Sequence, residues 1–205
     1  MQQREQPVAD DHDLAKLTPI YRFLARSMSF PEASWFDAAY CDALSSLLDA
    51  VGWREEAEAI RRLGAEGVPA IESLQVEHTR LFLNAVPHVI APPYGSPYLS
   101  DDAMLYGPSA VRTKQFYREM GFDLPGEADI PDHLVLELEF LALLAEEGRG
   151  EEETLFLRDH FRPWFPHFRA RVMAAASHPF YRVLVNLIDF FTREELDNGF
   201  GSDET

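Results

Sequence analysis

Nearly every apolar run of the 205-residue chain repeats at intervals of three and four residues, the spacing of one helix face, rather than alternating as in a strand. The clearest run follows positions i, i+3, i+4, i+7, i+8 and i+11, at Phe180, Val183, Leu184, Leu187, Ile188 and Phe191. This spacing predicts an all-α fold, a single-domain bundle of about eight or nine helices. The 15 Phe, 7 Tyr and 3 Trp residues supply a sizeable core.

Proline and glycine indicate where the helices begin and end, since proline suits a first turn and glycine suits a terminus. The predicted helices cover residues 13–29, 34–50, a short one ending at 63, 69–84, 108–121, 131–147, 151–161, 163–177 and 179–196. Pro19 lies within the first of them and predicts a kink or a restart there. We expect one domain over residues 13–196, with a flexible tail at 1–12 and a disordered tail at 197–205.

Charge and cysteine content narrow the class of protein. The chain carries 35 acidic against 18 basic residues, a formal net charge of −17, which repels nucleic acid and anionic lipid and attracts cationic partners. The single cysteine, Cys41, excludes an internal disulfide and suits a reducing compartment. Residues 1–13 lack the apolar core of a signal peptide, and no apolar stretch reaches the ~18 residues of a membrane span. We therefore expect a cytoplasmic protein without stable membrane insertion.

Residues 85–101 break the helical pattern with four prolines, which favour extended backbone: Pro87, Pro92, Pro93 and Pro97. A long connection inside a compact domain is often a binding loop. Tyr94 and Tyr98 could offer the flat apolar faces and polar tips that recognition sites use. The same two rings could equally pack into the core of a rigid crossover.

The helix predicted from Pro131 is the most apolar of the chain, yet it carries four ionisable residues: Asp132, His133, Glu137 and Glu139. At 100° per residue, the middle two lie on one face and the outer two on another. Both acids could also have purely structural roles. Asp132 in the first turn could interact favourably with the helix dipole, and Glu137 could stabilise a charged His133. Buried acids need a partner or a raised pKa, so we expect at least one to meet a cation or a ligand.

Two segments resemble the paired signatures of the TorD/DmsD/NarJ family: Pro92-Pro-Tyr-Gly-Ser-Pro-Tyr98 and Pro131-Asp-His-Leu-Val-Leu-Glu-Leu-Glu-Phe-Leu141. Glu77-His-Thr-Arg-Leu-Phe82 is similar to the family's segment ahead of the proline loop, and the resemblance spans about residues 14–195. It implies an all-helical chaperone without catalysis or cofactor. Such a chaperone binds the twin-arginine signal peptide, or the apo form, of a molybdopterin oxidoreductase until its cofactor is inserted. We expect a monomer or a homodimer.

The resemblance also assigns residues to the peptide contact. These are Tyr94 in the proline loop and Asp132 with His133 at the helix start, and motif position adds Tyr21, Arg80, Phe82, Pro92 and Glu139. Many family members have Glu where this chain has Gly95, so one acidic contact departs from the family's pattern. An apolar, aromatic groove edged by Asp132 and Glu139 would complement both the arginines and the apolar stretch of the peptide.

Two other functions stay open on the sequence alone. Within the same fold, the client could be a non-exported metalloenzyme or a membrane-anchored nitrate reductase. In another class, a metal-dependent hydrolase could use the four ionisable residues of the helix from Pro131. The chain lacks Glu-x-x-His and His-x-x-x-His pairs, a Gly-x-Ser-x-Gly motif and a phosphate-binding Gly-rich loop, which disfavours catalysis.

Overall fold

The computed structural model describes residues 11–84, 88–100, 103–124, 126 and 129–193, apart from the side chains of 11–13. Within these ranges ten α-helices form: α1 Asp11–Met28, α2 Ala38–Ala50, α3 Arg54–Glu66, α4 Val68–His78, α5 Ser96–Leu99, α6 Pro108–Glu119, α7 Leu134–Glu146, α8 Gly150–Phe156, α9 Phe165–Ala175 and α10 Pro179–Phe191. Two π-helical turns continue α4 and α8, at π1 Thr79–Leu83 and π2 Leu157–Phe161.

The all-α prediction is confirmed, because the described residues form helices and no strand. The apolar stripe of α10 is buried as its spacing predicts, from Phe180 to Phe191. One helix was not expected: the four-residue α5 lies inside the segment that the prolines present as non-helical, with Pro97 in its first turn. Helix α1 continues through Pro19 to Met28. The predicted tails fall outside the described residues, except for positions 11 and 12 at the start of α1.

The described chain clusters into two compact units, each assembled from separate segments. The first unit contains the described parts of residues 1–26, 94–166 and 188–205. The second contains the described parts of 27–93 together with 167–187. The single domain expected over residues 13–196 stays a prediction. None of the helices in the described part of the chain is both long and apolar enough to cross a membrane.

The first unit has an aromatic core. The ring centroids of Tyr117 and Phe140 lie 4.4 Å apart, and those of Phe140 and Phe156 lie 4.8 Å apart. Further along the chain, the Phe161 and Phe165 rings stack at 4.8 Å. Each such aromatic pair contributes about 0.5–1.5 kcal/mol beyond the area it buries. The core therefore holds α6, α7 and α8 in fixed positions within this unit.

The second unit packs α2, α3, α4 and the first part of α10. Phe82 in π1 contacts the Tyr181 ring of α10 at 5.3 Å, and the Tyr181 hydroxyl donates a 3.0 Å hydrogen bond to the Leu74 carbonyl. Gly64 of α3 lies so close to Cys41 of α2 that a Cβ at Gly64 would meet the cysteine Cβ at 2.7 Å. A side chain at that position would force the two helices apart.

Candidate functional site

The start of α7 differs from the prediction. The helix begins at Leu134 rather than Pro131, and His133 is its N-cap, with Nδ1 accepting a 3.2 Å hydrogen bond from the Val135 N–H. Asp132 therefore lies one residue before the cap, and its placement in the first helical turn was wrong. The physical reason is that Pro131 and Asp132 form a turn, which the Tyr117 hydroxyl fixes by donating to the Pro131 carbonyl at 3.0 Å.

The proline loop meets this turn directly. Tyr94 and His133 form an isolated antiparallel bridge, with ring centroids 4.7 Å apart in an edge-to-face arrangement. The Gly95 N–H donates to the Asp132 carbonyl at 2.9 Å. Both rings are half-buried, so each keeps one side open to solvent. The structure thus brings together Tyr94, Asp132 and His133, the three residues that the motifs assign to the peptide.

Asp132 is a buried anchor rather than an exposed contact. Its carboxyl group is 1% exposed, and Oδ2 accepts hydrogen bonds from the Ser96 N–H at 2.6 Å and from the Ser96 and Ser109 hydroxyls. Its Oδ1 has no hydrogen-bond partner among the described residues. Sequence reasoning missed both serines, because they lie 36 and 23 residues from Asp132 and no local spacing links them.

Glu137 lies fully buried one turn into α7. Its Oε2 accepts a 3.0 Å hydrogen bond from the Trp164 indole N–H, whereas Oε1 is unpartnered within the described chain. Burial, and then the charge of Asp132, raise the pKa of Glu137 well above its ordinary value, and only the Trp164 bond lowers it. A buried acid needs a partner or a raised pKa, and Glu137 has the raised pKa. This shift favours the protonated form of the carboxyl group. The cation or ligand expected for at least one of the acids in this segment stays a prediction.

The proline loop can approach Trp164 and Asp132 closely because Gly95 has no side chain. A Cβ at Gly95 would lie 3.1 Å from Cδ1 of Trp164 and 3.3 Å from Oδ2 of Asp132. Both neighbours are buried, so a side chain here would displace the indole or the carboxylate. The glutamate that many family members carry at this position does not fit this packing.

Two other predicted residues of the first unit have different surroundings. Glu139 is exposed on α7, seven residues along from Asp132, and burial followed by the charge of Asp129 raises its pKa. Tyr21 is fully buried in α1, where its hydroxyl donates to Oε1 of Glu153 at 2.6 Å. Glu139 is therefore open to a ligand, whereas Tyr21 fixes the packing of α1. The contact of either with a peptide stays a prediction.

The remaining candidates lie in the second unit. Arg80 makes a two-bond ion pair with Glu77, at 2.8 and 2.9 Å, and also donates to the Ala175 carbonyl. Phe82 is buried against Phe168 and Tyr181, and Pro92 is half-buried. The charge of Arg80 is thus already neutralised within the unit. Peptide contacts of these three residues stay predictions.

The structure offers little to a hydrolase. Among the described residues, no three His, Cys, Asp or Glu side chains are grouped so that they could hold a metal ion. The oxygens of Asp132 and Glu137 that accept hydrogen bonds face Ser96, Ser109 and Trp164. The one thiol is also unreactive, since burial, and then Asp42 and Asp37, raise the pKa of Cys41 to about 11.

Comparison with known proteins identifies the family. A family model described as the nitrate reductase delta subunit matches residues 35–170. The Tat proofreading chaperone DmsD of Salmonella typhi is 35% identical over 138 residues, 66% of this chain and 67% of that protein. The chaperone protein TorD of a Psychrobacter species is 32% identical over 133 residues, 60% of each chain. A crystal structure of an Archaeoglobus fulgidus protein assigned to redox enzyme maturation aligns with a TM-score of 0.59 and 27% identity, covering 93% of this chain and all of that one.

An all-helical chain with these relatives is a maturation chaperone, and it is a binding module rather than an enzyme. It belongs to the TorD/DmsD/NarJ family of redox enzyme maturation proteins. The resemblance inferred from the proline loop and the α7 segment is therefore confirmed, and the hydrolase alternative is not favoured.

Proposed function

We propose that this protein is a cytoplasmic chaperone that binds the twin-arginine signal peptide, or the apo form, of a molybdopterin oxidoreductase until the cofactor is inserted. The observation that carries this proposal is its 35% identity over 138 residues to a protein named as a Tat proofreading chaperone. The net charge of −17 supports it, because a twin-arginine ligand is cationic.

The geometry at the start of α7 supports a peptide contact made by Tyr94 and His133. Both rings are half-buried, so they combine apolar surface with a polar tip. Burial, and then the charge of Asp132, raise the pKa of Tyr94, so its hydroxyl keeps its proton at neutral pH and can donate to a peptide carbonyl. Asp132 supports this contact indirectly, because its hydrogen bonds with Gly95 and Ser96 hold the proline loop against the turn before α7.

Glu139 supplies the exposed negative charge in this arrangement. It lies about two helical turns along α7 from Asp132, on the solvent side, where an arginine can pair with it without burial of either charge. Exposed pairs of this kind contribute less than about 1 kcal/mol. Glu139 should therefore adjust affinity and salt dependence, whereas the aromatic pair provides most of the contact.

A second candidate client is a membrane-anchored nitrate reductase or another non-exported metalloenzyme. The matching family model is described as the nitrate reductase delta subunit, but the relatives named as DmsD and TorD chaperones do not favour this client. Such a client need not carry twin arginines. Preference for a twin-arginine peptide therefore separates the two candidates.

The test uses a synthetic peptide with Arg-Arg followed by an apolar stretch of about 12 residues, and a matched peptide in which both arginines are glutamine. Fluorescence anisotropy should show tighter binding of the arginine peptide, and this preference should shrink as salt rises. Tyr94→Ala and His133→Gln should weaken binding about tenfold or more, and Glu139→Gln about two- to fivefold.

Glu146→Gln is the matched control for Glu139→Gln. Glu146 is exposed on the same helix, seven residues further along, and its removal changes the net charge by the same amount. It should leave affinity within a factor of about two. Equal affinity for the arginine and glutamine peptides would contradict the proposal and favour the non-exported client.

A further inference from the structure

Residues 103–107 form the tip of a loop whose base is tied tightly. The Gly107 N–H donates to the Ser96 hydroxyl oxygen at 3.0 Å, and that hydroxyl lies 3.1 Å from the Ser109 hydroxyl. Both serines also donate to the buried carboxylate of Asp132. The two ends of the loop are therefore fixed to one buried group.

The side chains at this tip are apolar and face solvent. Met104, Leu105 and Tyr106 are 61%, 48% and 46% exposed, and Val111 in the first turn of α6 is 55% exposed. Ala103 and Tyr106 adopt positive φ angles of 51° and 59°, which residues with a Cβ rarely take. Scattered exposed apolar residues need no explanation, but a contiguous group of large ones marks an interaction surface.

Helix α6 begins two residues after Tyr106, and its solvent face carries positive charge. Positions i, i+3, i+4 and i+7 of that face are Val111, Lys114, Gln115 and Arg118. Lys114 and Arg118 form no ion pair with any residue that the structure describes. In a chain of net charge −17, a strip with unpaired cations beside exposed apolar side chains is unusual.

We propose that the tip and the α6 strip (Met104, Leu105, Tyr106, Val111, Lys114 and Arg118) form a second docking surface, which takes an acidic amphipathic helix of a partner protein. The apolar side chains of such a helix would pack on the tip, and its carboxylates would pair with Lys114 and Arg118. This surface is separate in chemistry from the proposed leader contact, since cations would repel the twin arginines.

Charge complementarity selects this occupant. A partner with carboxylates is repelled by the net negative chain, so the local cations allow it to bind in one orientation. Arg118 in the last turn also interacts favourably with the helix dipole, but that effect explains neither the half-buried Lys114 in mid-helix nor the exposed Leu105. Asp132 and the two serines hold the ends of the loop close together, which lowers the entropy cost of docking.

The test compares two labelled synthetic helices with leucines at i, i+3, i+4 and i+7, one flanked by glutamates and the other by lysines. The full chain should bind the glutamate helix at least tenfold more tightly by fluorescence anisotropy. Leu105→Ser and the double variant Lys114→Glu/Arg118→Glu should each weaken that binding at least fivefold. Both should bind the twin-arginine peptide within twofold of the unaltered chain, so this result is distinguishable from failure of the proposed function.

Matched controls lie on other helices. Val76→Ser removes an even more exposed apolar side chain from α4, and Arg54→Glu/Arg62→Glu makes the same charge change on α3. Both should leave binding of the glutamate helix unchanged, and thermal melts should show that every variant is folded. Equal binding of the two helices, or equal losses in the controls, would overturn the proposal. So would binding of phosphatidylglycerol vesicles, or self-association in sedimentation, that Leu105→Ser abolishes while the glutamate helix stays unbound.

Discussion

Two buried glutamates, one in each unit, have opposite surroundings. Glu77, in the last turn of α4, ties this helix to the residues just before α10. Its Oε1 accepts hydrogen bonds from the Ser177 and His178 N–H groups at 2.6 and 3.1 Å. Arg80 adds two charged donors. Burial alone would raise the pKa of Glu77, but these hydrogen bonds and the charge of Arg80 lower it overall.

Glu137 has one donor, the Trp164 indole, and a neighbouring acid in place of a cation. Its pKa is raised, which favours the neutral form, whereas the lowered pKa of Glu77 favours the ionised form. The comparison shows that burial alone does not decide the charge of a carboxyl group. The available donors decide it, and they make Glu77 a structural clamp while Glu137 belongs to the floor of the candidate site.

The largest effect should follow from Glu77→Ala. Removing this carboxylate leaves Arg80 without its partner and two N–H groups without an acceptor. Because Arg80 is about one-third exposed, the free energy of unfolding should fall by about 3 kcal/mol, the low end for a broken buried pair. Urea denaturation measures it. Glu72→Ala, an exposed position on the same helix, should change stability by less than about 0.5 kcal/mol; a similar loss in both variants would refute the clamp.

Glu137→Gln should remove a contribution that lowers the free energy of unfolding as pH rises. The folded state keeps the Glu137 proton, while the unfolded chain releases it near pH ~4.3, so this residue lowers stability as pH rises above that value. The difference in unfolding free energy between the variant and the unaltered protein should therefore grow in the variant's favour as the pH rises above about 5. Glu77 acts in the opposite direction, stabilising above its unfolded pKa and losing that contribution as pH falls.

Urea denaturation at several pH values tests this slope. Glu146→Gln, on the exposed part of α7, should run parallel to the unaltered protein. A constant offset added to this slope would reflect the fit of the amide against Trp164. A difference without any slope between about pH 5 and 7 would mean that Glu137 is ionised in the fold.

Gly95→Ala should destabilise by about 1–2 kcal/mol, because the new Cβ lies against Trp164 and Asp132. The Trp164 fluorescence should shift as the indole moves, since this side chain is otherwise fully buried. Gly126→Ala is the control, where the nearest neighbour is a single Asp129 carboxylate. Unchanged stability and fluorescence would mean that the floor of the site adjusts easily.

The smallest effect should come from Arg80→Lys. Lysine keeps the positive charge beside Glu77 but replaces the planar two-bond geometry with a point charge. We expect a loss of about 1 kcal/mol in unfolding free energy, well below that of Glu77→Ala. A loss as large as that of Glu77→Ala would show that the two-bond geometry, rather than the charge of Arg80, provides the stabilisation.

Sequence patterns predicted the features that depend on residues close together in the chain. The α10 stripe follows from its spacing and the break in helical pattern at residues 85–101 from its prolines, whereas the pairing of Tyr94 with the start of α7 was implied only by the family resemblance. The Glu77–Arg80 pair also lies at i, i+3, a separation that one helix face brings together. A sequence reading that considered this pairing would have predicted Arg80 as part of a clamp.

The floor of the candidate site depends on long-range contacts. Trp164 and Glu137 are 27 residues apart, and Ser96 and Asp132 are 36 apart. No periodicity connects such pairs, so the donors that Asp132 and Glu137 meet were not predictable. The start of α7 at Leu134 was not predictable for the same reason. It depends on the hydrogen bond from Tyr117 to Pro131, a long-range contact that competes with helix formation.

The hydrogen bond from Tyr21 to Glu153 has a consequence for synthesis on the ribosome. The two residues are 132 positions apart in the chain. At about 5–20 residues per second, Glu153 is added roughly 7–26 s after Tyr21. During that interval the apolar face of α1, which carries Leu24 and Met28, lacks the helices that later cover Tyr21. A nascent chain of this maturation chaperone therefore itself exposes a helix that needs shielding from aggregation.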